Sequence, residues 1–225
     1  MPLMWFAGVM TSKGRDTVIV GAGGQGRELL DLVEVLVAKD SGHRFIGFVD
    51  DGEPDRGLLA ARGAVLLEGI DDPRASGADF VIGIGDPTVR ASVDRRLQEG
   101  YRTFADLVHP EARIGSEFRS GEGLVICAFV SVTTNVGVGR HVHLNPAVAV
   151  GHDCTLGDHV SVYPNATISG GVNIGDRVTV GAGSVIIQGV SVGEGTIVGA
   201  GAVVTRDLPA GVVAMGSPAK PVREV

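Results

Sequence analysis

Residues 144–180 read LNPAVAVGHDCTLGDHVSVYPNATISGGVNIGDRVTV, and every sixth residue of that stretch, Leu144, Val150, Leu156, Val162, Ile168, Ile174 and Val180, is aliphatic. The series runs back through Val138, Val132 and Ile126 to Ile114 and forward through Ile186, Val192 and Val198 to Val204, with Ser120 as its one polar member. Four residues after each member comes a second series, from Phe118 and Leu124 through Cys154 and Ala166 to Ala202 and Leu208, which is mostly aliphatic or small. An α-helix repeats about every 3.6 residues and a half-buried strand about every 2, so neither sustains a period of six over this length. A coil with three six-residue sides does: it makes one turn per 18 residues and five turns over residues 114–204. The spacing predicts a parallel β-helix, with turns stacked roughly 4.8 Å apart. Glycine often follows the aliphatic position, as at Gly115, Gly139, Gly151, Gly157, Gly175, Gly181, Gly193 and Gly199, where a sharp corner is expected to need unusual φ/ψ.

Ahead of the coil, residues 16–21 (DTVIVG) form a buried-strand pattern, residues 21–26 (GAGGQG) a glycine turn and residues 27–36 (RELLDLVEVL) an amphipathic helix. That order lets the backbone approach a phosphate closely, and a helix start offers N–H groups and the positive end of its dipole. The same glycines also fit a tight strand-to-helix turn with no ligand, and alone they leave both open. Residues 45–51 (FIGFVDD) read as a second strand ending in Asp50 and Asp51, where carboxylates suit hydroxyls or a base edge. A third strand at residues 80–85 (FVIGIG) precedes Asp86 and a helix over residues 90–97. Residues 15–108 are thus read as a half-Rossmann α/β unit sized for one nucleotide, residues 109–225 as the coil with its tail, and residues 1–14 as a disordered or appended start.

Composition narrows the classes. The chain has 225 residues, 44% apolar and 20% charged, which is globular, and its 35 glycines with only 4% aromatics suit a tightly turned repeat. A net charge of −7 repels a phosphate backbone, so no nucleic-acid partner is expected. Cys127 and Cys154 lack CxxC spacing, which argues against a disulfide framework or zinc site and fits a reducing cytoplasm. No run approaches the roughly 18 apolar residues that span a bilayer, and the apolar opening has no basic leader. A soluble cytoplasmic protein is expected.

The hexads of residues 114–208 resemble those of the hexapeptide-repeat acyltransferases, whose coil is a left-handed parallel β-helix. With the preceding α/β unit, the whole resembles the PglD/NeuD-like sugar acetyltransferases. The resemblance implies acetyl-CoA as co-substrate, a nucleotide-linked amino sugar with a 4-amino-deoxy ring as acceptor, no metal, and a homotrimer with acetyl-CoA in the groove between neighbouring subunits. It places Gly23, Gly24 and Gln25 by the phosphates, Asp50 and Asp51 by the base or ribose, and Gly85 and Asp86 along the same cleft. Gln25 stands where the family's turn commonly carries a histidine. In the coil, the implied acetyl-CoA contacts are Ser161, Gly170, Ala182 and Gly199 along the pantetheine arm, where small residues permit close approach, and Lys220 of the segment GSPAK at residues 216–220, facing a CoA phosphate.

His141, His143, His152 and His159 fall in the coil and avoid both inward series, so all four are expected to face outward. By resemblance, His152 and Asp153 occupy the place of a His–Glu pair whose histidine takes a proton from the sugar amine as it attacks the thioester carbonyl, and Asn145, seven residues earlier, lies toward the substrate. A histidine suits that task because its ordinary pKa near 6.5 leaves much of it neutral at about pH 7, and a carboxylate fixes its tautomer. His141, His143 and His159 are read as solvated. Three further readings share the coil. Sugar O-acetylation of the sialate type is a variant of the same chemistry. A γ-class carbonic anhydrase needs histidines converging on zinc, two of them five apart, and the coil has no such pair. A non-enzymatic nucleotide-sugar-binding trimer gives the His152–Asp153 pair nothing to do.

Overall fold

A computed structural model describes residues 16–39, 42–100 and 102–225; the reading of residues 1–14 lies outside them. The chain divides into two compact units between His109 and Pro110. In the first, β1 (Asp16–Val20), β2 (Arg44–Val49), β3 (Asp79–Ile82) and β4 (Thr103–Phe104) form a parallel sheet in the order β2-β1-β3-β4. The unbroken apolar runs of β1 and β3 mark strands covered on both faces, and every residue of β3 is buried. Helix α1 (Gly24–Ala38) buries Leu29, Leu30, Leu32, Val33 and Leu36, and it starts inside the glycine turn, earlier than its apolar periodicity indicates. Helix α2 (Arg56–Ala61) is short, and α3 (Pro87–Glu99) begins on a proline whose fixed φ suits the first helical position. The third strand stops at Ile82, so Gly83, Ile84 and Gly85 form a loop.

The second unit is a parallel β-solenoid. Strands pair with those 18 residues away, as in Arg113 with Ser131, Ala149 with Thr167 and Val185 with Val203. One face stacks six such strands, from Arg113–Ile114 to Val203–Val204. Both inward series point into the coil: from Ile126 to Val204 no member of the first is more than 7% exposed, and from Leu124 to Leu208 none of the second exceeds 6%. The polar members are satisfied internally: Ser184 Oγ donates to the Gly181 carbonyl at 2.7 Å and Thr196 Oγ1 to that of Pro209 at 2.6 Å. Burial pushes the Cys154 thiol up. Ser120, the exception in the apolar series, lies exposed in the first turn. At the other end, the strand Val212–Met215 pairs with Ile197–Val198 and is closed by the antiparallel strand Lys220–Glu224.

Two expectations about the coil are corrected. The left-handed backbone at the corners does not fall on the glycines that follow the aliphatic series. It falls two residues later, at every sixth position from Glu117 to Gly201, and is borne by Glu117, Phe129, Asn135, His141, Ala147, Asp153, His159, Asn165 and Arg177 as well as by glycines. The earlier set is glycine for a steric reason, since a Cβ on Gly157 would stand 2.7 Å from the Asp176 backbone nitrogen and one on Gly151 2.5 Å from that of Gly170. The histidines are corrected in three cases of four: His141, His143 and His159 are buried. At their shared corner the His141 and His159 rings stack with centroids 5.6 Å apart, and His141 covers the space above Gly123. His143 lies in register between Val125 and Ser161, on an outward face that is itself buried at these turns.

A methyl group on Gly157 would also meet Asp176 Oδ1, which accepts the Asp158 N–H at 2.8 Å. Gly157→Ala is therefore expected to cost about 1–3 kcal/mol, read in thermal unfolding as roughly 2–4 °C per kcal/mol. Gly137→Ala, with nothing within 4 Å of its Cβ direction, should leave the midpoint nearly unchanged.

Candidate active site

At the C-terminal ends of β1, β2 and β3, a cavity of about 450 Å³ is lined by Gly23, Gly24, Gln25, Asp50, Asp51 and Gly85, together with Arg96. This is where open parallel sheets bind ligands. The glycines divide by function. Gly21 has φ +99°, a Cβ on Gly26 would stand 1.9 Å from the Gly21 carbonyl oxygen, and one on Gly83 2.7 Å from Gly26 Cα, so these three let α1 close on the strands. Gly23 and Gly24 have nothing within 4 Å of their Cβ directions, so the protein's own packing does not require them. Helix α1 also starts on Gly23 without a side-chain cap, whereas Asp55 and Asp86 each accept two N–H bonds at the starts of α2 and α3. An open glycine turn before an uncapped helix suits a phosphate.

The two acids separate as well. Asp50 Oδ2 accepts from Ala22 N at 2.7 Å and Oδ1 from Gly52 N at 2.8 Å, which braces the glycine turn against the end of β2. Asp51 lies on the cavity and accepts from Arg96 Nη1 of α3 at 2.5 Å. Asp86 is the cap of α3, its Oδ1 taking the N–H groups of Thr88 and Val89 at 2.8 and 2.9 Å. Two residues escaped the sequence reading: Arg96, and the fully buried Arg90, whose Nη1 donates to the carbonyls of Ile84 and Gly85 at 2.7 and 3.1 Å and fixes the loop after β3. Their signal was only a basic residue on the helix following a glycine loop.

On the coil, Asp153 sits at a corner with φ +59°, a region Asp enters more readily than longer side chains. Its Oδ2 lies 2.7 Å from His152 Nδ1, so the acid one methylene shorter than Glu makes the contact. Its Oδ1 accepts from Asn135 Nδ2, also at 2.7 Å. These two bonds, that from Asn135 foremost, hold the Asp153 carboxyl below the usual range. The carboxylate places the imidazole proton on Nδ1 and turns the Nε2 lone pair away from itself. Both side chains are about half exposed, 54% for His152 and 56% for Asp153. Gly170, one turn on, has its Cβ direction filled by the imidazole, 2.5 Å from Nε2, so its lack of a side chain seats the ring.

The other coil residues are dispersed. Asn145 is buried and donates from Nδ2 to the Val162 carbonyl at 2.8 Å. Ser161 is buried beside His143. A Cβ on Gly199 would stand 2.9 Å from Met215 Cγ, while Ala182 and Lys220 are exposed.

The PglD N-terminal domain model matches residues 16–97, the hexapeptide repeat of succinyl-transferase residues 147–188, and the bacterial transferase hexapeptide (six repeats) residues 171–206. The chain is 32% identical over 145 residues to GDP-perosamine N-acetyltransferase of Escherichia coli O157:H7, across 61% of this chain and 62% of that one, slightly under two thirds of the curated relative's length. WeeI from Acinetobacter baumannii AYE superposes with a TM-score of 0.79 at 32% identity, over 92% of this chain and 99% of that one. PerB from Caulobacter crescentus, solved in complex with CoA and GDP-perosamine, superposes with a TM-score of 0.75 at 32% identity, over 92% and 97%. Fold and matched repeats define an acyltransferase of the hexapeptide-repeat class. Within it, the chain belongs to the PglD/NeuD-like sugar acetyltransferases.

The glycine assignments separate in one experiment. Gly24→Ala should hold or slightly raise the melting temperature, since Ala is the better helix former, while weakening calorimetric binding of a nucleotide-linked sugar. Gly26→Ala should fail on stability first, because its Cβ has no space.

Proposed function

We propose that this chain transfers the acetyl group of acetyl-CoA to the amine of a nucleotide-linked amino sugar, with His152 as general base. The observation carrying the proposal is the oriented pair: an ionised Asp153 on His152 Nδ1, and Nε2 directed away on a half-exposed ring. As the amine attacks the thioester carbonyl, a C–N bond forms and the C–S bond breaks. Nε2 takes the proton the amine must lose, Asp153 stabilises the imidazolium, and the proton is then returned to the leaving thiolate.

The first unit holds the nucleotide in this reading, with the open turn at Gly23 and Gly24 for phosphate and the Asp51–Arg96 pair at the cavity wall for base or ribose. GDP-perosamine, the ligand of the Caulobacter relative, is the first acceptor to test. Acylation of an amine rather than a hydroxyl is favoured by the relatives, whose names specify N-acetyl transfer. The reading includes a cytoplasmic location, with which cysteines outside any disulfide are consistent; no described helix is long and apolar enough to cross a membrane.

The same reading makes the protein a homotrimer, in which a neighbouring coil covers the exposed side of the catalytic pair and forms the acetyl-CoA groove, a closed ring being the ordinary outcome for identical head-to-tail contacts.

His152→Asn should lower kcat by roughly 10²–10⁴ in a thiol-release assay while leaving the KM for acetyl-CoA largely unchanged; near wild-type turnover would remove His152 as the base. Sedimentation at micromolar concentration should give a trimer, and an active monomer would refute the assembly.

A further inference from the structure

We propose that Asn135 is a positioning residue of the acetyl-transfer site, holding the Asp153 carboxylate in the orientation from which its second oxygen meets His152 Nδ1. This rests on the reading of His152 as the base. Asn135 and Asp153 occupy the same corner of successive turns, both with left-handed backbone, at φ +57° and +59°. A side-chain amide bonds a carboxylate only through its nitrogen, so the contact of Asn135 Nδ2 with Asp153 Oδ1 at 2.7 Å is a donation. The other oxygen is then directed at His152 Nδ1, also at 2.7 Å. Asp153 is more than half exposed, and without this bond its carboxylate would rotate and bond water instead. Asn135 is also the foremost cause of the lowered Asp153 pKa, which keeps the carboxylate a poor acceptor for the proton that the imidazolium must return. Gly170 completes the arrangement as the seat of the ring. The corner's main chain is held separately, by Asn135 N donating to the Ser116 carbonyl at 3.0 Å and Asp153 N to that of Thr134 at 3.2 Å. The side chain can therefore be removed without unmaking the turn.

Asn135→Gly tolerates the left-handed corner and deletes only the donor. Asn135→Asp keeps the shape and sets a like charge against Asp153. In the full-length protein, imidazole ¹⁵N shifts should report His152 protonated on Nδ1 in the wild type and mixed tautomers in Asn135→Gly, as in Asp153→Ala. With acetyl-CoA and GDP-perosamine, kcat should fall roughly tenfold in Asn135→Gly and further in Asn135→Asp, at unchanged KM for acetyl-CoA. Placed in the Asp153→Ala background, Asn135→Gly should cost nothing more, since a residue acting through Asp153 has lost its intermediary. Unchanged tautomers in Asn135→Gly, or losses that simply add, would overturn the proposal. A His152→Asn control separates the two failures: if it retains turnover, the base assignment falls, while the ¹⁵N shifts still decide whether Asn135 orients the pair.

Discussion

Each turn of the coil is bonded to the next by backbone N–H groups, such as Gly151 N to the Ile168 carbonyl at 2.7 Å and Gly157 N to that of Ile174 at 2.8 Å. Because the bond is made by main chain, its length cannot stretch to admit a side chain, and whatever stands at a corner must fit between turns at strand spacing. The glycines following the aliphatic series, the Asp158 and Asp176 carboxylates that accept N–H groups one turn back, and the seat of His152 over Gly170 all follow from that spacing. A residue's effective neighbours in this unit are those 18 before and after it, as the strand registers show.

The same constraint explains what could be read in advance. The inward series were legible because burial inside a narrow coil selects aliphatic or small side chains at a period no other element shares. The corner conformation was not. Its positions hold residues as unlike as Phe129, Asn135 and Arg177, and the signal of the neighbouring glycines, which is steric, resembles the signal of positive φ. Burial of His143 escaped for a different reason: six-residue periodicity describes the inside of the coil and is silent about which outward faces are covered. His152 and Asp153 came from the resemblance, and Asn135 was within reach by subtracting 18 from Asp153, a step that needs the corner to be known as a column.

In the α/β unit, one motif performs two tasks that sequence does not separate. Gly21, Gly26 and Gly83 serve packing, while Gly23 and Gly24 leave the turn open. Of two adjacent acids, Asp50 is committed to backbone amides and Asp51 to Arg96, a division that depends on which way each side chain leaves the end of β2. Both lie just beyond β2 and line the same cavity, yet a pair written side by side need not share a role.

The fixed register also limits how such a coil can change over time. Loss or gain of a single residue between Asn135 and Gly170 would throw the acid, its donor and the seat of the imidazole out of phase, and would turn both apolar columns toward water beyond that point. Only whole turns can be duplicated or deleted without that damage. The coil therefore grows or shrinks in fixed increments at either end, while the corner that carries Asn135 and Asp153 stays anchored to the turns immediately before and after it.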